Sequence, residues 1–346
     1  MPPVTDTQRA ALVDAFGRVA TDLRISLTDK CSLRCTYCMP AEGLAWLRKS
    51  ELLTDDEIVR LAGLFVSLGV TSIRLTGGEP LLHPTVPAVV ARLAALRPRP
   101  ELSLTTNGIG LVHMSGELVR AGLDRVNVSV DTLDPERFRE LTRRARLPDV
   151  LAGVAAAAAA GLHPVKINAV LVRGSNLGEA PALLGWALRH GYEMRFIEHM
   201  PLDAQHAWTR DAMVTADEML ALLGDYLLRP IGHGADGSAP AEEFEVLDGP
   251  GTAEWAVRPG KLGVIASVTR PFCRECDRLR LTADGQLRTC LFARTETDLR
   301  GPLRDGADDD DLARLIRLAV AGKQAGHGID AADFVQPDRP MSAIGG

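Results

Sequence analysis

The chain has 346 residues, enough for one large domain or two moderate ones, and its hydrophobic fraction of 46% supplies a sizeable core. A net charge of -6 and an aromatic content of 4% argue against a nucleic-acid-binding surface. Six Cys are too few for a disulfide scaffold. Residues 1–20 lack the apolar core of a signal peptide, and no apolar run approaches membrane-spanning length, so a cytoplasmic protein is expected.

Residues 22–28 (DLRISLT) alternate as a first strand, and a loop with Cys31, Cys35 and Cys38 follows directly. Thiolates are soft ligands that select zinc, Cu(I) or iron–sulfur clusters. Only three are local, where structural zinc and ordinary clusters want four. A four-iron cluster on three thiolates has one iron open to a small molecule, and a zinc knuckle is the plain alternative. Thr54-Asp55-Asp56-Glu57 reads as a capping box, with Ile58, Leu61, Leu64, Phe65 and Leu68 at helical spacing behind it and Gly69 ending the helix.

The strand–helix alternation then repeats. Strands are expected over 71–75, 102–105, 125–130, 165–170 and 193–197, with helices over 150–160 and 178–189. That makes about six units where a full barrel of this type has eight, so the fold class expected is α/β: a partial, open, parallel TIM-type barrel. The pattern degrades over 230–263, rich in Gly, Pro, Asp and Glu. A boundary near 223–230 divides a barrel, 1–225, from a smaller C-terminal region, 226–346. The acidic run 308–311 reads as a solvated loop or helix start.

The C-terminal region holds Cys273, Cys276 and Cys290, again three thiols with no fourth. A zinc ribbon using His is the alternative, although no His lies between Cys273 and Cys290. Arg24 and Arg74 sit inside apolar strands, where a charge is costly unless something inside the barrel pairs with it. An anionic ligand or an internal salt bridge would serve. Arg278 and Arg280 alternate with Leu279 and Leu281, so both point to one face.

The Cys31–Cys38 spacing resembles the radical SAM superfamily. The wider set of motifs resembles the GTP 3′,8-cyclase family: Arg74-Leu75-Thr76-Gly77-Gly78-Glu79-Pro80, Leu104-Thr105-Thr106-Asn107-Gly108, Val128-Ser129-Val130-Asp131, Lys166-Ile167-Asn168, Glu198-His199-Met200-Pro201, the stretch 276–285 and the final Ile344-Gly345-Gly346. The resemblance implies two 4Fe–4S clusters, one on Cys31, Cys35 and Cys38, the other on Cys273, Cys276 and Cys290. It implies S-adenosylmethionine held by Tyr37, Gly78, Ser129 and Met200. It implies GTP held by Arg24, Arg74, Thr105, Lys166, Arg278, Leu279 and Arg280, with catalytic roles for Arg278, Arg280, Gly345 and Gly346. In the family a 5′-deoxyadenosyl radical takes hydrogen from C3′ of GTP and C3′ joins C8, the first step towards molybdopterin. The resemblance extends to an external electron donor, a downstream enzyme of the same pathway and a homodimer; it implies neither a nucleic-acid partner nor a membrane.

Three residues depart from the family pattern: His83, Asp277 and Trp255. They bear on neighbouring contacts, since none removes a ligand. The polar stretch 336–339 is not expected to pack strongly, whereas the resemblance implies that the two terminal glycines reach the active site, where the absence of a side chain suits close approach. A peptide-modifying radical SAM enzyme and a metal-structured binding protein with a Gly-Gly conjugation tail are the competing readings.

Overall fold

A computed structural model describes residues 11–233, 239–250, 259–331 and 333–345. Gly346 and Trp255 lie outside the described residues. Strand β1 (Asp22–Ser26) leads into the Cys loop, then helix α1 (Asp55–Ser67). The capping box forms: the Thr54 hydroxyl accepts from the Glu57 amide, and the Glu57 carboxylate accepts from the Thr54 amide. The chain continues through β2 (Ser72–Thr76), α2 (Val86–Ala94), β3 (Glu101–Thr106), α3 (Leu111–Ala121) and β4 (Arg125–Ser129). Helices α4 (Pro135–Thr142) and α5 (Leu147–Ala159) precede β5 (Val165–Leu171), and α6 (Ala180–Arg189) precedes β6 (Glu193–Glu198).

Strands β1 to β6 are parallel neighbours in chain order, which is the expected open barrel of six units. Their alternation sets what faces where. In β5, Val165, Ile167, Ala169 and Leu171 are buried in the apolar core, and Lys166, Asn168 and Val170 take the other face. In β1 the split is Leu23 and Ile25 against Asp22, Arg24 and Ser26.

The C-terminal region does not stack on the barrel as a separate layer; it extends the same sheet at both edges. After α7 (Ala216–Leu222) come β7 (Leu227–Gly232), β8 (Glu242–Asp248) and β9 (Gly260–Ile265). Sequence reading found no strands there because Gly, Pro, Asp and Glu dominate the stretch, although Glu243-Phe244-Glu245-Val246 does alternate polar with buried apolar residues. Strand β9 pairs parallel with β6, and β8 and β7 follow antiparallel. At the opposite edge β10 (Arg278–Leu281) pairs parallel with β1, followed antiparallel by β11 (Gln286–Arg288) and β12 (Thr297–Asp298). Eight parallel strands therefore lie side by side in a sheet of twelve. Residues 266–277 run from one edge of this parallel array to the other.

Helices α8 (Arg300–Arg304) and α9 (Asp309–Ala321) follow, and the acidic run is the start of α9, with Asp308 as its N-cap. The short helix α10 (Met341–Ile344) ends the described chain. The polar stretch before it packs, contrary to expectation. Gln336 donates to the Asp203 carbonyl at 2.6 Å, and Arg339 donates to both Asp284 oxygens at 3.0 and 2.8 Å. Ile344 is fully buried in a small second core with Leu202, Val268 and Phe292. That burial is worth roughly 1.5–3 kcal/mol against the entropy of ordering the tail. No helix among the described residues is long and apolar enough to cross a membrane.

Candidate active site

Three linked compartments open on the inner face of the barrel. A central cavity is lined by Arg24, Arg74, Arg195, Arg278 and Arg280 among others. The second compartment adjoins it through Tyr37, Thr105 and Ser129 and is walled by Cys35, Cys38 and Gly78. The third adjoins it through Phe272, Arg278 and Arg280 and is walled by Cys273, Cys276 and Cys290. The fold thus gathers both thiol triplets at opposite ends of one cavity. Among the described residues, no three His, Cys, Asp or Glu side chains are grouped so as to hold a single metal ion.

The Cys loop is held from below and from the side. Gly78 N–H donates to Thr28 O at 2.8 Å and Glu79 N–H to Lys30 O at 2.7 Å. A Cβ on Gly77 would sit 2.4 Å from Thr28 O, and one on Gly78 would sit 2.4 Å from Lys30 O. The glycine pair is therefore required by the loop's own backbone, in addition to leaving Gly78 open to the compartment. From the side, Arg143 donates to Arg34 O at 3.0 Å and Met39 O at 2.9 Å.

All six Cys are free and partly buried. Burial pushes Cys31 up to about 11, Cys38 up to about 12 and Cys35 upward as well. Such thiols stay protonated at neutral pH unless a bound cation draws out the protons, so this triplet suits a metal cluster and not a free thiolate role. Cys276 departs downward: burial pushes it up, but the charges of Arg278 and Lys323 outweigh that.

The register of the sheet puts Arg280, Arg24 and Arg74 side by side on β10, β1 and β2, with Asp22 opposite Arg278. Like charges directly across a ladder are destabilising. Arg24 has no ion-pair partner within 4.0 Å among the described residues, which answers against an internal salt bridge there, and its enclosed Nε has no hydrogen-bond partner. Arg278 stacks over Phe272 at 4.3 Å; its Nε lies 3.9 Å from Asp277 Oδ1, and neither Nε nor Nη2 has a hydrogen-bond partner among the described residues. Burial, then the neighbouring Arg280 and Arg74, pull Arg24 well below the ordinary range; burial and then Arg278 bring Arg280 to about 10. An array of orphaned guanidinium donors fits a polyanion of several oxygens.

Other expected residues fall as follows. Thr105, Ser129, Tyr37 and Met200 line the central cavity. Lys166 is paired with Glu193 at 3.0 Å and is not among the lining residues. The Leu279 side chain points away into the core and is 0% exposed, so only its backbone could serve a ligand. Arg280 donates to the Gly345 carbonyl. Gly345 has φ +78°, and a Cβ there would lie 2.3 Å from Thr76 Oγ1 and 2.6 Å from Ser26 Oγ. His83 pairs with Asp55 at 3.5 Å, outside all three compartments, and Asp277 accepts from the Thr21 hydroxyl at 2.7 Å.

Sequence reasoning missed several lining residues. Arg195 sits between Met194 and Phe196 in β6, the same signal that exposed Arg24. Asp131 accepts from the Tyr37 hydroxyl at 2.6 Å and from the Val170 amide at 2.9 Å, and burial holds it up at about 6. His199 meets the Tyr37 ring edge-on at 6.1 Å with its Nε2 unpartnered.

A model of the radical SAM superfamily matches residues 25–187, and one described as Molybdenum Cofactor Synthesis C matches residues 192–329. A Streptomyces coelicolor protein named GTP 3′,8-cyclase is 61% identical over 337 residues, covering 97% of this chain and 96% of its own length. A protein of the same name from Mycolicibacterium smegmatis is 56% identical over 336 residues, covering 97% and 92%. Among solved structures, Streptococcus suis SuiB bound to precursor peptide SuiA aligns with TM-score 0.59 over 94% of this chain and 76% of its own, at 14% identity, which speaks to the fold alone.

Proposed function

The chain belongs to the GTP 3′,8-cyclase family, and on that premise we propose that its central cavity holds GTP between two cluster sites. The enzyme converts GTP to (8S)-3′,8-cyclo-7,8-dihydroguanosine 5′-triphosphate, the first step of molybdenum cofactor biosynthesis. The observation that carries the substrate reading is the row Arg280–Arg24–Arg74, in which Arg24 Nε has no hydrogen-bond partner, with the unpaired Nε and Nη2 donors of Arg278 beside it, between two thiol triplets.

Cys31, Cys35 and Cys38 would hold one 4Fe–4S cluster, and Cys273, Cys276 and Cys290 the other. Bound there, the clusters and S-adenosylmethionine supply the electron, the 5′-deoxyadenosyl radical that takes the ribose hydrogen, and an open iron for guanine. The protein's own part is positioning. Tyr37, Gly78, Ser129 and Met200 border the S-adenosylmethionine side. Arg24, Arg74, Arg278 and Arg280 fix the triphosphate, Thr105 offers a hydrogen bond, Lys166 adds a further cation on the same sheet face, and Leu279 contributes through its backbone. C3′ and C8 belong to one substrate, and anchoring it at both ends would hold these two atoms in the geometry that ring closure needs. Arg278, Arg280, Gly345 and Gly346 are the proposed catalytic group, and Arg280 donates to the Gly345 carbonyl. We treat 1–225 as the barrel and 226–346 as the region that completes it. An external electron donor, a downstream enzyme that takes the cyclised product, a homodimer and a cytoplasmic location complete the reading.

The test is anaerobic incubation with S-adenosylmethionine, dithionite and GTP deuterated at C3′. Deuterium is expected in 5′-deoxyadenosine, together with cyclised nucleotide. Cleavage of S-adenosylmethionine with no deuterium transfer from GTP would overturn the assignment.

A further inference from the structure

Beyond the end of α9 the chain turns inward at Lys323, which is only 4% exposed. Its ammonium donates to Cys276 O at 2.7 Å and to Arg278 O at 3.1 Å, and lies 3.6 Å from Cys276 Sγ. An ammonium has three donors, so two carbonyls and one sulfur account for all of them. No carboxylate lies within 4.0 Å of it among the described residues. A buried cation without a carboxylate is expensive unless another anion is near, and the facing anion is the thiolate set.

We propose that Lys323 is a positioning residue of the second triplet, supplying the fixed positive charge that balances the cluster held there and raises its reduction potential. The inference rests on the two-cluster reading above. Potentials of such clusters follow net charge and hydrogen bonds to sulfur. A fixed positive charge favours the more negative, reduced form. Arg278 and Arg280 also stand near, but they line the central cavity, where phosphates would neutralise them. Lys323 lines neither that cavity nor the thiol compartment, so its charge stays with the cluster whether or not nucleotide is bound. The lysine is also clamped. Arg18 donates to Cys273 O at 2.7 Å, Gln324 O at 2.6 Å and Ala325 O at 3.0 Å, tying the segment after Lys323 to the turn that carries Cys273.

The experiment uses the full chain with Cys31, Cys35 and Cys38 replaced by Ala, so that one cluster remains. Iron per chain and the midpoint potential, by redox titration followed by electron paramagnetic resonance, are compared for this parent and for Lys323→Met, Lys323→Gln and Lys323→Arg. At a fixed poise the reduced-to-oxidised ratio is expected to fall at least about tenfold in the Met and Gln variants, about 59 mV for a one-electron couple, while Arg stays near the parent. Iron retained by the Arg variant but by neither neutral variant also supports the proposal. Parent-like potentials in Met or Gln at full iron content would overturn it, as would iron lost from all three variants. A parent without iron would refute the two-cluster reading and the proposal with it.

Discussion

Arg24 is held in the cavity for its ligand and against the stability of the fold, so Arg24→Met is expected to stabilise the nucleotide-free protein. Its cross-strand neighbours are Arg280 and Arg74, and Asp22 is the nearby carboxylate. With charges about 6 Å apart and an effective dielectric of about 20, each pair interacts by roughly 3 kcal/mol. The two adjacent repulsions against one attraction leave a cost of about 3 kcal/mol, and the weaker repulsion from Arg278 and enclosure of the guanidinium add to it. Methionine keeps much of the packing and carries no charge. After allowance for lost polar contacts, a gain of about 2–4 kcal/mol follows. For 346 residues the unfolding entropy gives roughly 0.7 kcal/mol per degree, so Tm should rise by about 3–6 °C. GTP affinity should fall by at least about 30-fold, as expected for losing one partner of an enclosed charge pair. The assay is thermal unfolding of anaerobically reconstituted protein with and without GTP, alongside equilibrium binding. A lower Tm without nucleotide, or wild-type GTP affinity, would refute the reasoning.

Two further outcomes follow from single side chains. Gly345→Ala should force a Cβ into Thr76 and Ser26 and release Arg280, costing roughly 1–3 kcal/mol locally; iron content should stay at the wild-type level while cyclised product falls at least about tenfold, and wild-type turnover would mean the tail has no part in the reaction. Asp131 is held up at about 6 by burial, against an ordinary value of 3.8, so its contribution to stability is full below about pH 4 and lost as pH rises through 6; Asp131→Asn should flatten that slope in Tm between pH 4 and 7, and an unchanged slope would show that Asp131 does not titrate there.

The parallel barrel was legible because local signals agree along it: the capping box at Thr54, alternation in β1 and β5, and the Gly77-Gly78 turn each point to one architecture. Arg24 and Arg74 were legible as charges inside apolar strands, and Arg195 carried the same signal unread. What remained hidden was non-local. No residue pattern announces that β9 and β10 join opposite edges of the same sheet, because pairings between residues 68 apart (Met194 with Leu262) and 256 apart (Asp22 with Arg278) leave no periodicity. Lys323 was invisible for a related reason: a lysine after a helix reads as surface until the packing encloses it. The stretch 336–339 was misjudged from polarity alone, since its partners Asp203, Asp284 and Glu296 lie far away in sequence.

The pairing of β10 with β1 has a consequence for how the protein is made. Asp22 meets Arg278 only after 256 further residues have been added, which takes roughly 13–50 s on a ribosome. Throughout that interval β1 is an unpaired sheet edge, open to wrong partners. The nascent chain can complete the thiol loop after β1 early, yet Arg280 of the arginine row, and Arg278 beside it, do not exist until late in translation. The three thiols of the Cys31–Cys38 loop are therefore in place well before the central cavity is complete, and a chain broken off before residue 278 would retain them while lacking Arg278, Arg280 and the Ser342 contact to Cys38.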